Sequence, residues 1–222
     1  WGQIEGHAYA YLCRCLAQLR LHRVEAEPQL LHSTQRALDF LTKQDGLVIT
    51  GTCSQHECWH DSQDGAANLG ETCATAYLIR VWDELLQLEA DSRYGDLMER
   101  TIYNALFAAQ SPDGRRIRYY APFDGPRTYF DLDTYCCPNN YRRIIAQLPS
   151  LVYYRSDNRV VVNLYVASTA HFELAKALRV KMRQETDYPN SGKVTVHLEP
   201  TGPARFALSL RIPRWCESAS VA

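Results

Sequence analysis

Three stretches of this chain gather side chains that can bind a metal, attack an electrophile or carry a proton. They are Thr50–Asp61, with His56, Glu57, Cys58, His60 and Asp61; Gly70–Cys73, with Glu71 and Cys73; and Asp133–Asn140, with Cys136 and Cys137. Zinc takes four ligands from Cys, His and carboxylate side chains and favours thiolates, so a metal centre is the first chemistry to consider. Cys136 and Cys137 would point to opposite sides of a regular strand, so sharing one metal requires a bent backbone. Pro138 favours that bend by keeping Cys137 out of the α region. Glu71 and Cys73 would lie about 200° apart on a regular helix. They converge only at an irregular helix start. Both arguments place the reactive residues at helix N-termini, where backbone N–H groups favour thiolates.

The elements that must position these residues are helical first and strand-like later. Tyr9, Leu12, Cys13, Leu16 and Leu19 recur at helical spacing, as do Leu30, Leu31, Thr34, Leu38 and Leu41, with Gly46 as the stop. Leu78, Val81, Trp82, Leu85 and Leu88 form a third stripe. Tyr94, Leu97, Met98, Ile102, Leu106 and Phe107 form a fourth, closed by the turn Ser111–Gly114. A fifth helix is predicted to start near Pro138, because proline suits the first helical position. After about Asp157 the texture changes, and 160–166, 193–198 and 205–212 read as antiparallel strands. Helices followed by strands predict two domains, 1–156 and 157–222: part of an (α/α) helical barrel, then the start of an all-β sandwich.

Composition excludes several classes. At 222 residues, 46% hydrophobic and 22% charged, the chain is neither disordered nor membrane-spanning. A net charge of −1 gives no footing for nucleic acid or an anionic membrane. Eight cysteines are many, but a chain of this length needs no disulfide staples, and adjacent Cys136 and Cys137 make a poor disulfide set. Cys13 and Cys15 sit in an apolar helical run and read as small buried side chains. Cys53, Cys58 and Cys216 read as structural. The chain opens at Trp1 without a leader or an initiator Met, so its start is expected upstream. Missing helices would leave apolar faces exposed, and such a piece is expected to be inactive or unstable alone.

The motifs GETC (70–73), the PFDG and YF stretch (122–130) and DTYCCPNN (133–140), with QETDYP (184–189) and LRIPRW (210–215) behind them, resemble the glycoside hydrolase family 127 β-L-arabinofuranosidases. The likeness runs from Gly6-His7-Ala8 onward. It implies a zinc-dependent retaining glycosidase acting on a terminal β-L-arabinofuranosyl residue or a related sugar of a glycan. Carried over residue by residue, Cys136 would be both nucleophile and zinc ligand, with Cys73, Cys137 and Glu57 as the other ligands. Glu71 would be the acid/base, and His7 and Tyr119 would contact the sugar, with Tyr120 an alternative to Tyr119. His56, Cys58, His60 and Asp61 stand close enough in sequence to replace Glu57.

Each residue also has a plainer reading. Cys136 and Cys137 fit a structural zinc pair, Cys73 a packed helix residue beside Ala76 and Tyr77, Glu71 a carboxylate at a helix N-terminus and Glu57 a solvated acid. His7 fits a cap, and the aromatic stretch from Tyr119 to Tyr135 divides between core and sugar platform. The rival function is therefore a zinc-stabilised carbohydrate-binding or structural module without turnover. A third reading is a disulfide-bonded secreted protein. Reduced thiols favour a cytoplasmic location, and a homo-oligomer is admitted.

Overall fold

Leu12, Cys15, Leu16 and Leu19 are the buried stripe of helix α1, Ala8–Glu25, in the computed structural model, which describes residues 4–62, 68–174 and 177–222. Cys15 is buried as expected, whereas Cys13 is only half-buried because it lies on the flank of that stripe. The chain forms two compact units, Trp1–Ala146 and Gln147–Ala222. The second unit already contains the strand Tyr153–Ser156, so the change of texture comes before Asp157.

In the first unit, a short 3-10 turn, Pro28–Leu31, leads into α2, His32–Lys43. Leu30 and Leu31 therefore belong to this lead-in and not to the α-helical stripe, whose buried members are Thr34, Ala37, Phe40 and Leu41. Gly46 is not the left-handed stop: that conformation falls on Asp45, at φ 56°. Gly46 is needed for another reason, since a Cβ there would sit 2.3 Å from the Phe40 ring.

Helix α3, Thr72–Glu89, is buried on nearly every side through Leu85, as a helix with neighbours all round must be. Helix α1 packs on it, as does α4, Arg93–Thr101. Glu84 of α3 is buried, yet it receives Arg20 Nε at 2.7 Å and Arg23 Nη1 at 3.0 Å from α1. Pairing offsets the desolvation of that carboxylate. Trp82 is fully buried and stacks on Tyr94, with ring centroids 6.2 Å apart. Trp82→Ala is expected to cost about 3–5 kcal/mol in chemical denaturation; a loss well under about 1 kcal/mol would contradict this placement.

Helix α4 does not continue regularly. It widens into a π-turn, Ile102–Leu106, and tightens into a 3-10 turn, Phe107–Ala109, which leaves Phe107 exposed although it fits the helical stripe. At the end of α4, Thr101 Oγ1 donates to the Gly51 carbonyl at 2.7 Å. A Cβ on Gly51, whose φ is 87°, would meet the Thr101 nitrogen at 2.9 Å. Glycine thus lets the loop that carries Glu57 lie against α4. The last helix of this unit, α5, runs from Cys136 to Gln147.

The second unit holds two three-stranded sheets. Strands β1 (Tyr153–Ser156), β2 (Arg159–Val162) and β6 (Ala207–Leu210) form one, in the order β1-β2-β6. Strands β3 (Ser168–Glu173), β4 (Arg179–Thr186) and β5 (Val194–Pro200) form the other. The all-antiparallel expectation fails at one pairing, because β2 and β6 run parallel. Strands β1, β3 and β4 were not read in the sequence. On β4 only Val180, Met182 and Gln184 turn inward, while charged residues take the alternate positions. Val160 and Val162 share a core with Val180, Met182, Tyr165 and Leu174, so the two sheets bury one face each against the other. No described helix is long and apolar enough to cross a membrane.

Candidate metal and catalytic centre

Glu71 occupies the N-cap position of α3, with extended backbone at φ −55° and ψ 131°, and Cys73 sits in the first turn. This break from helical geometry lets two residues that would diverge on a regular helix face one place. The start of α3 is clipped to a neighbouring segment: Thr72 N–H donates to the Tyr119 carbonyl at 2.9 Å and Thr72 Oγ1 to the Arg118 carbonyl at 2.8 Å. That clip presents the Tyr119 side chain to the site.

Helix α5 begins at Cys136, two residues before the predicted start at Pro138. Cys137 is therefore helical, contrary to the expectation that Pro138 would hold it out of the α region. Pro138 is tolerated because its missing N–H belongs to the first turn, where no intrahelical partner exists. The two sulfurs lie on one side because the first turn curls, not because a strand bends.

The ligand atoms of Glu71, Cys73, Cys136 and Cys137 all lie within 4.8 Å of one another. Cys73 and Cys137 Sγ are 3.2 Å apart, and Cys137 Sγ donates to Glu71 Oε1 at 3.7 Å. Glu71, Cys73 and Cys137 are buried, while Cys136 is half-buried at the rim. Glu57 meets this cluster from the open side. His7, Glu57 and Glu71 form a second group within 4.8 Å, with His7 Nε2 3.6 Å from Glu57 Oε2. Tyr119 OH donates to Glu57 Oε1 and stands 3.5 Å from Cys136 Sγ, so it ties the open carboxylate to the rim sulfur. No such contact reaches the cluster from the Tyr120 side chain among the described residues.

His56, Cys58, His60 and Asp61 belong to neither group among the described residues. His56 Nδ1 instead pairs with Asn68 Nδ2 at 3.1 Å. His7 stands at the N-cap position of α1 without a side-chain capping bond, which leaves its ring free for Glu57. Backbone bonds hold the two together, with Ala8 N–H to the Glu57 carbonyl at 2.8 Å and Trp59 N–H to the Gly6 carbonyl at 3.1 Å. The Glu57 loop is conformationally costly. Ser54, His56 and Glu57 all have positive φ, at 77°, 47° and 69°. Each such non-glycine residue costs about 1 kcal/mol or more, and strain of this kind gathers at functional sites.

All eight cysteines are free, which overturns the disulfide reading. Cys53 is buried, Cys58 exposed and Cys216 half-buried, and none joins the cluster. Sequence reasoning also passed over Asn140, whose Nδ2 donates to Cys73 Sγ at 3.2 Å. Its only signal was position: one helical turn after the cysteine pair. The aromatic stretch does line a cavity, with Tyr119, Tyr120, Tyr129 and Phe130 around it.

The electrostatics are those of a site that wants a cation. Burial, then the neighbouring Cys73, pushes the Glu71 carboxyl up to about 9. The Cys137 thiol hydrogen-bonded to Cys73 brings Cys73 down to about 6, and the same contact, with burial, pushes Cys137 up. The Cys73–Cys137 pair thus shares a proton between its sulfurs, and the buried Glu71 carboxyl holds its own. Glu71 Oε2 is buried without a partner among the described residues. Three sulfurs and a carboxylate with one buried unpartnered oxygen fit a soft divalent cation. Such a cation must displace the protons on Glu71 and on the thiols that burial keeps protonated, Cys136 among them, so affinity is expected to rise with pH through about 9. Calorimetry at pH 7 in two buffers of different ionisation enthalpy checks this. Binding without proton release would contradict it.

Fold and site together define a helical unit that gathers thiols and carboxylates at two helix starts, followed by a β unit. Residues 6–150 match the GH127 catalytic domain of β-L-arabinofuranosidases and residues 159–222 match the GH127 middle domain. The chain belongs to the GH127 β-L-arabinofuranosidase family, and its two units are part of an (α/α) barrel and a β domain. It is 28% identical over 163 residues to a non-reducing end β-L-arabinofuranosidase of Bifidobacterium longum subsp. longum, covering 66% of this chain and 24% of that protein. A GH127 β-L-arabinofuranosidase from Geobacillus stearothermophilus T6 superposes with a TM-score of 0.86 at 29% identity, over 98% of this chain and 37% of that one. A second GH127 β-arabinofuranosidase gives 0.85 at 27% identity, over 96% and 34%. The chain thus spans about a quarter to two fifths of the length of these relatives.

Proposed function

We propose that the intact protein is a retaining glycoside hydrolase that removes a terminal β-L-arabinofuranosyl or related residue from a glycan, through a glycosyl-cysteine intermediate. The observation that carries this reading is the link at the rim: Tyr119 OH touches both Cys136 Sγ and the Glu57 carboxylate. A nucleophile and a proton carrier then flank one open space.

The roles expected for the two glutamates are exchanged in this reading. Glu71 is 1% exposed and lies among the sulfurs, a position suited to a ligand and closed to a substrate oxygen. Glu57, with its side chain 34% exposed, faces the opening. Glu71, Cys73, Cys136 and Cys137 would hold Zn²⁺, which on binding keeps the thiols ionised. Four anionic donors exceed the charge of one divalent cation, so the rim sulfur keeps nucleophilic character.

Cys136 Sγ attacks the anomeric carbon as the glycosidic C–O bond breaks, and the leaving oxygen takes the proton of Glu57. The Glu57 carboxylate then accepts a proton from water, whose oxygen attacks the same carbon and breaks the C–S bond. Two inversions give retention. Burial and Glu57 hold the Tyr119 hydroxyl protonated, so it stays a donor that orients the carboxylate. His7 braces the other Glu57 oxygen.

The raised Glu71 pKa supports a second reading, with Glu71 as the acid and Glu57 as the ligand. A structural zinc module is disfavoured, because Cys136 sits at an opening and Glu71 is not turned to solvent. Hydrolysis of an aryl β-L-arabinofuranoside by the intact protein, followed by NMR of the first-formed sugar, tests the proposal. The β anomer is expected; the α anomer, or no turnover by metal-loaded protein, would overturn it.

A further inference from the structure

We infer that Asn140 is a positioning residue for the thiolate centre: its amide N–H···S bond fixes the Cys73 sulfur as a ligand. The inference rests on the zinc reading above and extends it to a residue outside the donor set. Asn140 lies on α5 four residues after Cys136 and three after Cys137, so it shares their helix face one turn deeper. It is 2% exposed, in a place where a free amide would be costly. Its orientation is set from both ends. Arg143 Nη1 donates to Asn140 Oδ1 at 3.4 Å, which only the oxygen can accept. The amide nitrogen must then face the other way, where one hydrogen reaches Cys73 Sγ at 3.2 Å and the Tyr9 hydroxyl hydrogen-bonds the same side chain.

This arrangement spans three elements. Tyr9 comes from α1, Cys73 from α3 and Asn140 from α5, so the packing of three helices is transmitted to one sulfur atom. Among the described residues, the other side chains that hydrogen-bond the Cys73 sulfur are Cys137, Cys136 and Glu71, all of them proposed metal ligands whose donor protons a bound metal would displace. With a metal in place, the Asn140 amide is the donor that still holds the Cys73 sulfur from outside the ligand set. It also draws electron density from the sulfur, as hydrogen bonds to metal-bound thiolates do.

The test uses Co²⁺ and Zn²⁺ titration of the intact protein and of Asn140→Leu, which keeps the size of the side chain and loses the donor. Metal affinity is expected to fall about 10–100-fold, the usual range for lost outer hydrogen bonds. The sulfur-to-cobalt charge-transfer band should move to lower energy, because the sulfur is left more electron-rich. Tyr9→Phe, which removes only a hydroxyl, should move the band in the same direction by less, and it carries the test if Asn140→Leu does not fold. A packing role alone would change the melting temperature of the metal-free protein and leave affinity and spectrum at wild-type values. That result in either folded variant overturns the inference. If the wild-type protein shows no thiolate-to-cobalt band, the zinc reading itself fails and takes the inference with it.

Discussion

Cys136→Ala is expected to abolish turnover, lowering kcat by about 10⁵-fold or more, the scale seen when a covalent nucleophile is removed. The size follows from the position of the sulfur. Cys136 is half-buried at the rim, while Cys73 and Cys137 are sealed beneath it, so no neighbouring thiol can take its place. Cys73, Cys137 and Glu71 remain as donors, so the variant should still bind metal, with lower affinity. Loss of turnover with retained metal separates a nucleophile from a purely structural ligand. Kinetics on aryl β-L-arabinofuranosides with metal analysis of the same samples would check it. A variant within about tenfold of the parent would remove Cys136 from the chemistry.

Glu57→Gln is expected to lower kcat/KM by about 10²–10⁴-fold for a sugar leaving group, the usual contribution of a general acid. With a nitrophenyl leaving group the loss should be much smaller, because a good leaving group needs little protonation. Metal content should stay near that of the parent, since the carboxylate contacts Tyr119 and His7 and not the sulfurs. The fold should tolerate the change, because the bond of the Glu57 carbonyl to Ala8 N–H is made by backbone. Equal losses with both leaving groups would deny Glu57 the role of acid.

Much of the helical unit was legible because its apolar residues recur at helical spacing, on one stripe in α1 and within the more fully buried α3. Leu12, Leu16 and Leu19, or Val81, Trp82 and Leu85, announce their faces by spacing alone. The π-turn after α4 was not legible, since nothing in Ile102–Leu106 distinguishes a wider turn from an ordinary one. Strand β4 escaped notice because charged residues fill its alternate positions and only Val180 and Met182 mark its inner face, and β3 because Ser168, Ala170 and Phe172 make a weakly apolar alternation. The three reactive segments were found by residue type, and the expectation that they sit at helix starts holds for Glu71, Cys73, Cys136 and Cys137. What spacing cannot show is depth. Glu57 and Glu71 are chemically identical in sequence. Glu57 is placed half-buried on a left-handed loop and Glu71 is buried at the N-cap of α3, and this difference in burial is what the proposed division of roles between them rests on.

The division of labour between these two carboxylates is tested most directly by metal content. Glu71→Gln and Glu57→Gln would be prepared in the intact protein, dialysed side by side against trace chelator and measured for bound zinc per chain by elemental mass spectrometry. Glu71→Gln is expected to lose most of its metal and Glu57→Gln to keep it. Zinc retained in Glu71→Gln and lost from Glu57→Gln would contradict the assignment and return the two residues to the opposite roles.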